Sequence, residues 1–169
     1  MKGKYSFAEK FIFILHNNNN MFFKIRKNIE PSLKKELKDY VFDIVGHLYS
    51  VYNELPCSLP EYIYQEALAI TFTENDINFN KEYKHHPFYH GKELNSHLRM
   101  DMMVEREKGN IIVECKSIES IGEKERHQLF SYMIGTMFPI GILANFGAYP
   151  KIEIEKYYLD KNNYTIIPF

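Results

Sequence analysis

Residues 110–119 read NIIVECKSIE. Ile111, Ile112 and Val113 are β-branched and apolar, and they read as the start of a buried strand. The strand then carries Glu114 and Lys116, two residues apart, so both side chains leave the same face of the sheet. A carboxylate and an ammonium on a mostly apolar strand are costly to bury without partners. Cys115, between them, is expected on the opposite, buried side.

The partners are sought first in the preceding strand, RMDMMVE at residues 99–105. Lys108-Gly109 reads as a two-residue antiparallel turn that pairs Glu107 with Asn110. Counting outward places Asp101 opposite Lys116, with Glu114 diagonal to it on the same face. Any even loop length keeps that parity, whereas an odd one sends Asp101 to the other face unless a bulge restores it.

One face then gathers Asp101, Glu114 and Lys116. Two carboxylates held close repel each other unless a cation or a proton sits between them. Oxygen-only ligands favour a hard divalent ion, Mg²⁺ or Mn²⁺, over zinc. A lysine beside such an ion can position or activate water and steady charge on a phosphate. The competing reading is a cross-strand salt bridge of Lys116 with Asp101 or Glu114, worth little if exposed. Arg99 shares the strand face of Asp101 and suits either a phosphate contact or neutralisation of the carboxylates.

Outward from this pair the periodicity changes. Apolar residues from Leu37 to Leu55 follow a helical period, and prolines at 56 and 60 end that helix. A second helix is expected from Pro60 or Glu61 to Glu74–Asp76, with Ser58 as a candidate cap and Tyr64, Ala67, Leu68 and Phe72 as its apolar stripe. INFNKEYKHHPFYHGKEL, residues 77–94, alternates around a turn at His90-Gly91 and reads as a strand or hairpin. GEKERHQLFSYMIGTM reads as a helix, IGILANFG as a buried strand, and KIEIEKYYL as a late edge strand. His85, His86, His90 and His97 follow no zinc-ligand spacing.

The 169 residues suit one domain. The net charge of −1 hides an asymmetry: residues 1–40 carry nine Lys/Arg against four Asp/Glu, and the remainder twelve against eighteen. The domain is therefore expected at 37–169, preceded by a basic leader at 21–36 and a poorly ordered extension at 1–20 ending in NNNN. Met21 is the expected working start. Cys57 and Cys115 lack metal-ligand spacing and suit a reducing cytoplasm. No apolar run approaches the roughly 18 residues of a membrane span.

SLPEYIYQEALAI, HGKELNSHLRMDMMV, IIVECKSIES, HQLFSYM and ILANFGAYPKIEI, in that order, resemble the GxxExxY family of the PD-(D/E)XK nuclease-like superfamily. The likeness runs from about Tyr40 to Tyr158. Glu61 and Tyr64 match the naming motif, while Ser58 stands where the family has glycine. Gln128 and Tyr132 match the later helix, where Glu125 replaces a histidine. The resemblance implies an α/β, restriction-endonuclease-like αβββαβ core with a mixed central sheet flanked by helices. It implies Asp101, Glu114 and Lys116 as the active-site trio, Glu61 as a further carboxylate at the metal, and Gln128 as an accessory group. Tyr132 would stand near the substrate, although core packing with a satisfied hydroxyl is the favoured reading. The implied activity is Mg²⁺- or Mn²⁺-dependent hydrolysis of DNA or RNA. The alternative is a nuclease-like binding or interaction module without turnover.

Overall fold

Strand β6 (Ile111–Lys116) is apolar on both faces up to its last three residues, as an interior strand must be. A computed structural model describes residues 24–25 and 29–169 of the chain. The expectations for the extension at 1–20 and for Met21 lie outside the described residues. In chain order the other elements are β1 (Lys24–Ile25), α1 (Pro31–Tyr40), α2 (Phe42–Glu54), α3 (Glu61–Glu74), β2 (Phe79–His85), β3 (Phe88–Tyr89), β4 (Lys92–Glu93), β5 (Leu98–Val104), α4 (Glu123–Thr136), β7 (Ile140–Asn145), β8 (Glu153–Asp160) and β9 (Thr165–Pro168).

The main sheet runs β1-β9-β8-β7-β6-β5-β2, with β3 and β4 as a separate ribbon. The pairs β6–β7 and β1–β9 are parallel and the rest antiparallel, so the sheet is mixed. Helices α1–α3 cover one face, where Ile44, Leu48, Leu68 and Phe72 meet Val113, Cys115 and Ile142. Helix α4 covers the other, where Leu129 and Met133 meet Ile112 and Leu143. The close seat of α4 is fitted to Gly141: a Cβ there would stand 2.6 Å from Met133 Sδ and 2.9 Å from Leu129 Cδ1, and those side chains would have to shift.

Strand β5 serves both layers. Met102 and Val104 pack beneath α1–α3, whereas Leu98 and Met100, at the same alternation, pack beneath α4. The change of face falls at Asp101. Opposite it, between the pairs Lys81–Met102 and Tyr83–Met100, Glu82 adopts φ 52°. A positive φ at a non-glycine residue marks a break in regular strand geometry.

Several expectations change. The first helix starts at Pro31, with proline in its first turn, and is interrupted at Val41 (φ −105°, ψ 7°) instead of running unbroken from Leu37. Ser58 does not cap α3; the Tyr64 hydroxyl instead accepts the Leu59 N–H and donates to the Pro56 carbonyl. Strand β8 is interior, because β9 pairs along it. The β5–β6 register is also two residues from the expected one. Val104 pairs with Ile111 and Met102 with Val113, so the connection spans 105–110 and Asp101 lies opposite Glu114, not Lys116. The longer connection is held by Tyr40, whose hydroxyl donates to the Gly109 carbonyl and accepts the Lys108 N–H, and by Arg106 on Asp43. Its even length preserves the parity, and the two carboxylates stay together.

Candidate active site

Ladder pairing between β5 and β6 stops at Met102–Val113. Beyond it the side chains take over. The Asp101 N–H donates to Glu114 Oε1 at 3.0 Å, and the Cys115 N–H donates to Asp101 Oδ2 at 2.9 Å. Glu114 is 1% exposed. The strands therefore open at this end around two facing carboxylates.

Lys116 stands 3.5 Å from Glu114 Oε2 and 4.0 Å from Glu61 Oε2, so one ammonium joins strand and helix. Glu61 is the first residue of α3, a position that suits an acidic side chain. One turn on, the buried Gln65 amide donates to Glu61 Oε1 at 3.3 Å, and it lies near enough to Asp101 to favour that carboxyl's ionised form. Gln65 was absent from the sequence reading. Its only signal was the i, i+4 spacing from Glu61.

The electrostatics follow from burial. Loss of solvent pushes the Glu114 carboxyl up to about 8, with Asp101 adding to the shift and Lys116 opposing it. Burial likewise raises Asp101, against the Cys115 N–H and Lys116. It raises Glu61, with Lys116 again opposing. Burial works against the Lys116 charge, but Glu114, Asp101 and Glu61 outweigh it and raise its pKa. Lys116 is thus a cation facing three carboxyl groups, and it offsets their burial and mutual repulsion only in part, so they hold their protons more tightly than free carboxyls do.

From the other layer, Gln128 donates to the Tyr132 hydroxyl at 2.9 Å. Tyr132 lies within the field of Glu114, Lys116 and Asp101, and burial raises its pKa. Gln128 itself is exposed at the rim. Arg99 pairs with Glu82 at 3.5 Å and adds positive potential at Asp101. Glu66 is exposed and takes no part in the cluster.

The exit from β6 is tied down by groups that sequence reasoning missed. The Ser117 hydroxyl donates to the Leu59 carbonyl at 2.6 Å, linking the strand to the start of α3. The buried Asn145 side chain accepts from Ile118 N–H and Gly147 N–H and donates to Glu153. Gly147 is required there, since a Cβ would lie 2.6 Å from Ile118 N. Such long-range caps carry no local sequence pattern.

An all-oxygen donor set with undercompensated negative charge suits a hard cation such as Mg²⁺. Among the described residues, however, no three acidic, His or Cys side chains stand gathered as a ready metal site. Glu114 and Asp101 spend oxygens on backbone N–H groups, and Glu61 meets them through Lys116 and Gln65.

Counted from α3, the order is helix, three antiparallel strands, helix and a parallel strand, with the acidic cluster where the middle strands part. That is a restriction-endonuclease-like domain. The chain belongs to the PD-(D/E)XK nuclease superfamily, whose family model matches residues 38–157. The crystal structure of SSO0001 is 15% identical, with 92% of this chain and 78% of that one covered at a TM-score of 0.48. No curated protein matches the chain in sequence. Among the described residues, no helix is long and apolar enough to cross a membrane.

Proposed function

We propose that the protein is a metal-dependent nuclease of the GxxExxY branch, hydrolysing phosphodiester bonds in DNA or RNA with Mg²⁺ or Mn²⁺. The observation that carries this reading is the facing pair Asp101 and Glu114 at the parting of β5 and β6, with Lys116 between Glu114 and Glu61. Asp101, Glu114 and Glu61 would hold the ion. Such an ion, when bound, lowers the pKa of water and neutralises charge on phosphate oxygens. Lys116, held cationic in the metal-free site by its three acidic neighbours, would donate hydrogen bonds to the attacking water or to a phosphate oxygen. Gln128 and Tyr132 would orient the substrate from the α4 side, and Arg99 would meet a neighbouring phosphate. Two free cysteines, one of them exposed, accord with a reducing cytoplasm.

A second reading, a nuclease-like binding module without turnover, is favoured by one observation. The carboxylates already have partners, so the cluster can stand as a closed ion-pair network. Calorimetric titration with Mg²⁺ and Mn²⁺, followed by a DNA and RNA cleavage panel, separates the two. Metal uptake lost in Asp101→Ala together with cleavage supports the enzyme. Absence of cleavage at saturating metal overturns it.

A further inference from the structure

Exposed aromatic groups flank the carboxylates on both sides of the sheet's open end. Strands β3 and β4 form a ribbon with only two residues in each strand, turning at His90-Gly91 with φ 50° and 72°. Its pairs are Phe88–Glu93 and Tyr89–Lys92, so Tyr89 and Lys92 share one face and Phe88 points from the other. Phe88, Tyr89 and Leu94 are 44%, 53% and 41% exposed, on a ribbon too small to build a core of its own. The ribbon joins the end of β2 to the start of β5. It therefore hangs from the Leu98 end of β5, about 10 Å along the strand from Asp101 at its middle.

Across the site, β7 runs beside β6 with Asn145 paired to Lys116, and the chain beyond it exposes Tyr149 at 84%. Tyr62, 58% exposed, directly follows Glu61. Of the eight large apolar side chains exposed among the described residues, five stand at this end of the sheet. The exposed charges here nearly balance: Lys84, Lys92, Arg99 and Lys151 against Glu82, Glu93 and Glu119. A nearly neutral rim holds a polyanion poorly through its phosphates. Aromatic side chains hold unpaired bases through their π faces, which a duplex keeps stacked away.

We infer that this rim is a stacking platform for an unpaired nucleic-acid strand lying across the end of the sheet, from the β3–β4 ribbon over Asp101 and Glu114 to Tyr62 and Tyr149. This rests on the nuclease reading and names its substrate class. Binding is carried by stacking more than by phosphate contacts.

The test is fluorescence anisotropy in EDTA with a labelled oligothymidylate of about 20 nucleotides and a blunt duplex of equal length. Wild type should prefer the single strand by about tenfold or more, with a shallow salt dependence of one or two phosphate contacts at about −0.7 each. Tyr89→Ala and Tyr149→Ala should each weaken it about tenfold, within the range for loss of one stacked base. Phe42→Ala, at the far end of α2, should leave binding unchanged. Equal affinity for duplex, no binding to either, or unaltered binding by both tyrosine variants overturns the platform. A protein that binds single strands in EDTA yet never cleaves with Mg²⁺ or Mn²⁺ keeps the platform and loses the nuclease reading. One that cleaves single strand and duplex alike keeps the nuclease and loses the platform.

Discussion

Asp101 and Glu114 each hold the backbone of the other's strand: the Asp101 N–H donates to Glu114 Oε1 at 3.0 Å, and Asp101 Oδ2 accepts the Cys115 N–H at 2.9 Å. The carboxylates replace the ladder bonds that the parting strands give up. An ion would be left the oxygens that the main chain does not use, Asp101 Oδ1 and Glu114 Oε2, the latter already near Lys116.

That double duty separates two variants. Asp101→Ala leaves the Cys115 N–H without its acceptor and should cost about 1–3 kcal/mol of stability. Asp101→Asn keeps an acceptor oxygen and should cost less than about 1 kcal/mol. Both should abolish metal binding. Urea denaturation beside calorimetric titration checks the pair, and equal stability losses would show that the Asp101 oxygen is not supporting β6.

Lys116→Ala should leave metal affinity nearly intact while the cleavage rate falls by a factor on the order of 10²–10³, as when one preorganised donor is lost. If Lys116 serves only as a counter-charge, its removal should instead tighten metal binding with turnover little changed. Single-turnover rates at saturating Mn²⁺ decide between these outcomes.

Gln65 hydrogen-bonds Glu61, favours the ionised form of Asp101 and is buried. Gln65→Leu should lower metal affinity about 10- to 100-fold, the usual loss when a group that orients a ligand is removed. Gln65→Glu adds a fourth carboxylate and should raise the pH needed for metal uptake. Titrations at two pH values test both, and unchanged affinity in Gln65→Leu would leave the residue a packing group.

Burial holds the Glu114, Asp101 and Glu61 carboxyls above their ordinary range, Glu114 at about 8. An acid whose folded pKa lies above its unfolded one binds its proton more tightly in the fold. Its stability contribution is full below the unfolded pKa, about 4.5 for Glu114, and is lost as pH rises through about 8. The metal-free protein should therefore melt at a lower temperature at pH 8 than at pH 5.5. Added Mg²⁺ should raise the melting temperature at pH 8 and do little at pH 5.5, because the ligands must first lose their protons. Calorimetric melts across this range check the sign.

The acidic pair was legible in the sequence because a strand's alternation is rigid and the connection has even length. The register was not. It depends on Tyr40 and Asp43 gripping the 105–110 connection from helices more than sixty residues away. The site's carboxylates and lysine have a recognisable spacing, whereas Gln65, Ser117 and Asn145 act through contacts that only the folded chain brings together. Strand β9 escaped notice for a different reason: four residues ending in Pro168 carry too little alternation to stand out.

The change of face along β5 makes Asp101 a pivot between two separately packed layers. Residues on one side of it are gripped by α1–α3 and those on the other by α4. A cavity opened far from the site, by Leu68→Ala in one layer or Met133→Ala in the other, pulls on the same carboxylate from opposite directions. Strand β6, paired along its whole length with β7 and keeping an unbroken alternation, has no such lever arm. Damage inherited from distant substitutions should therefore reach the site through Asp101 sooner than through Glu114.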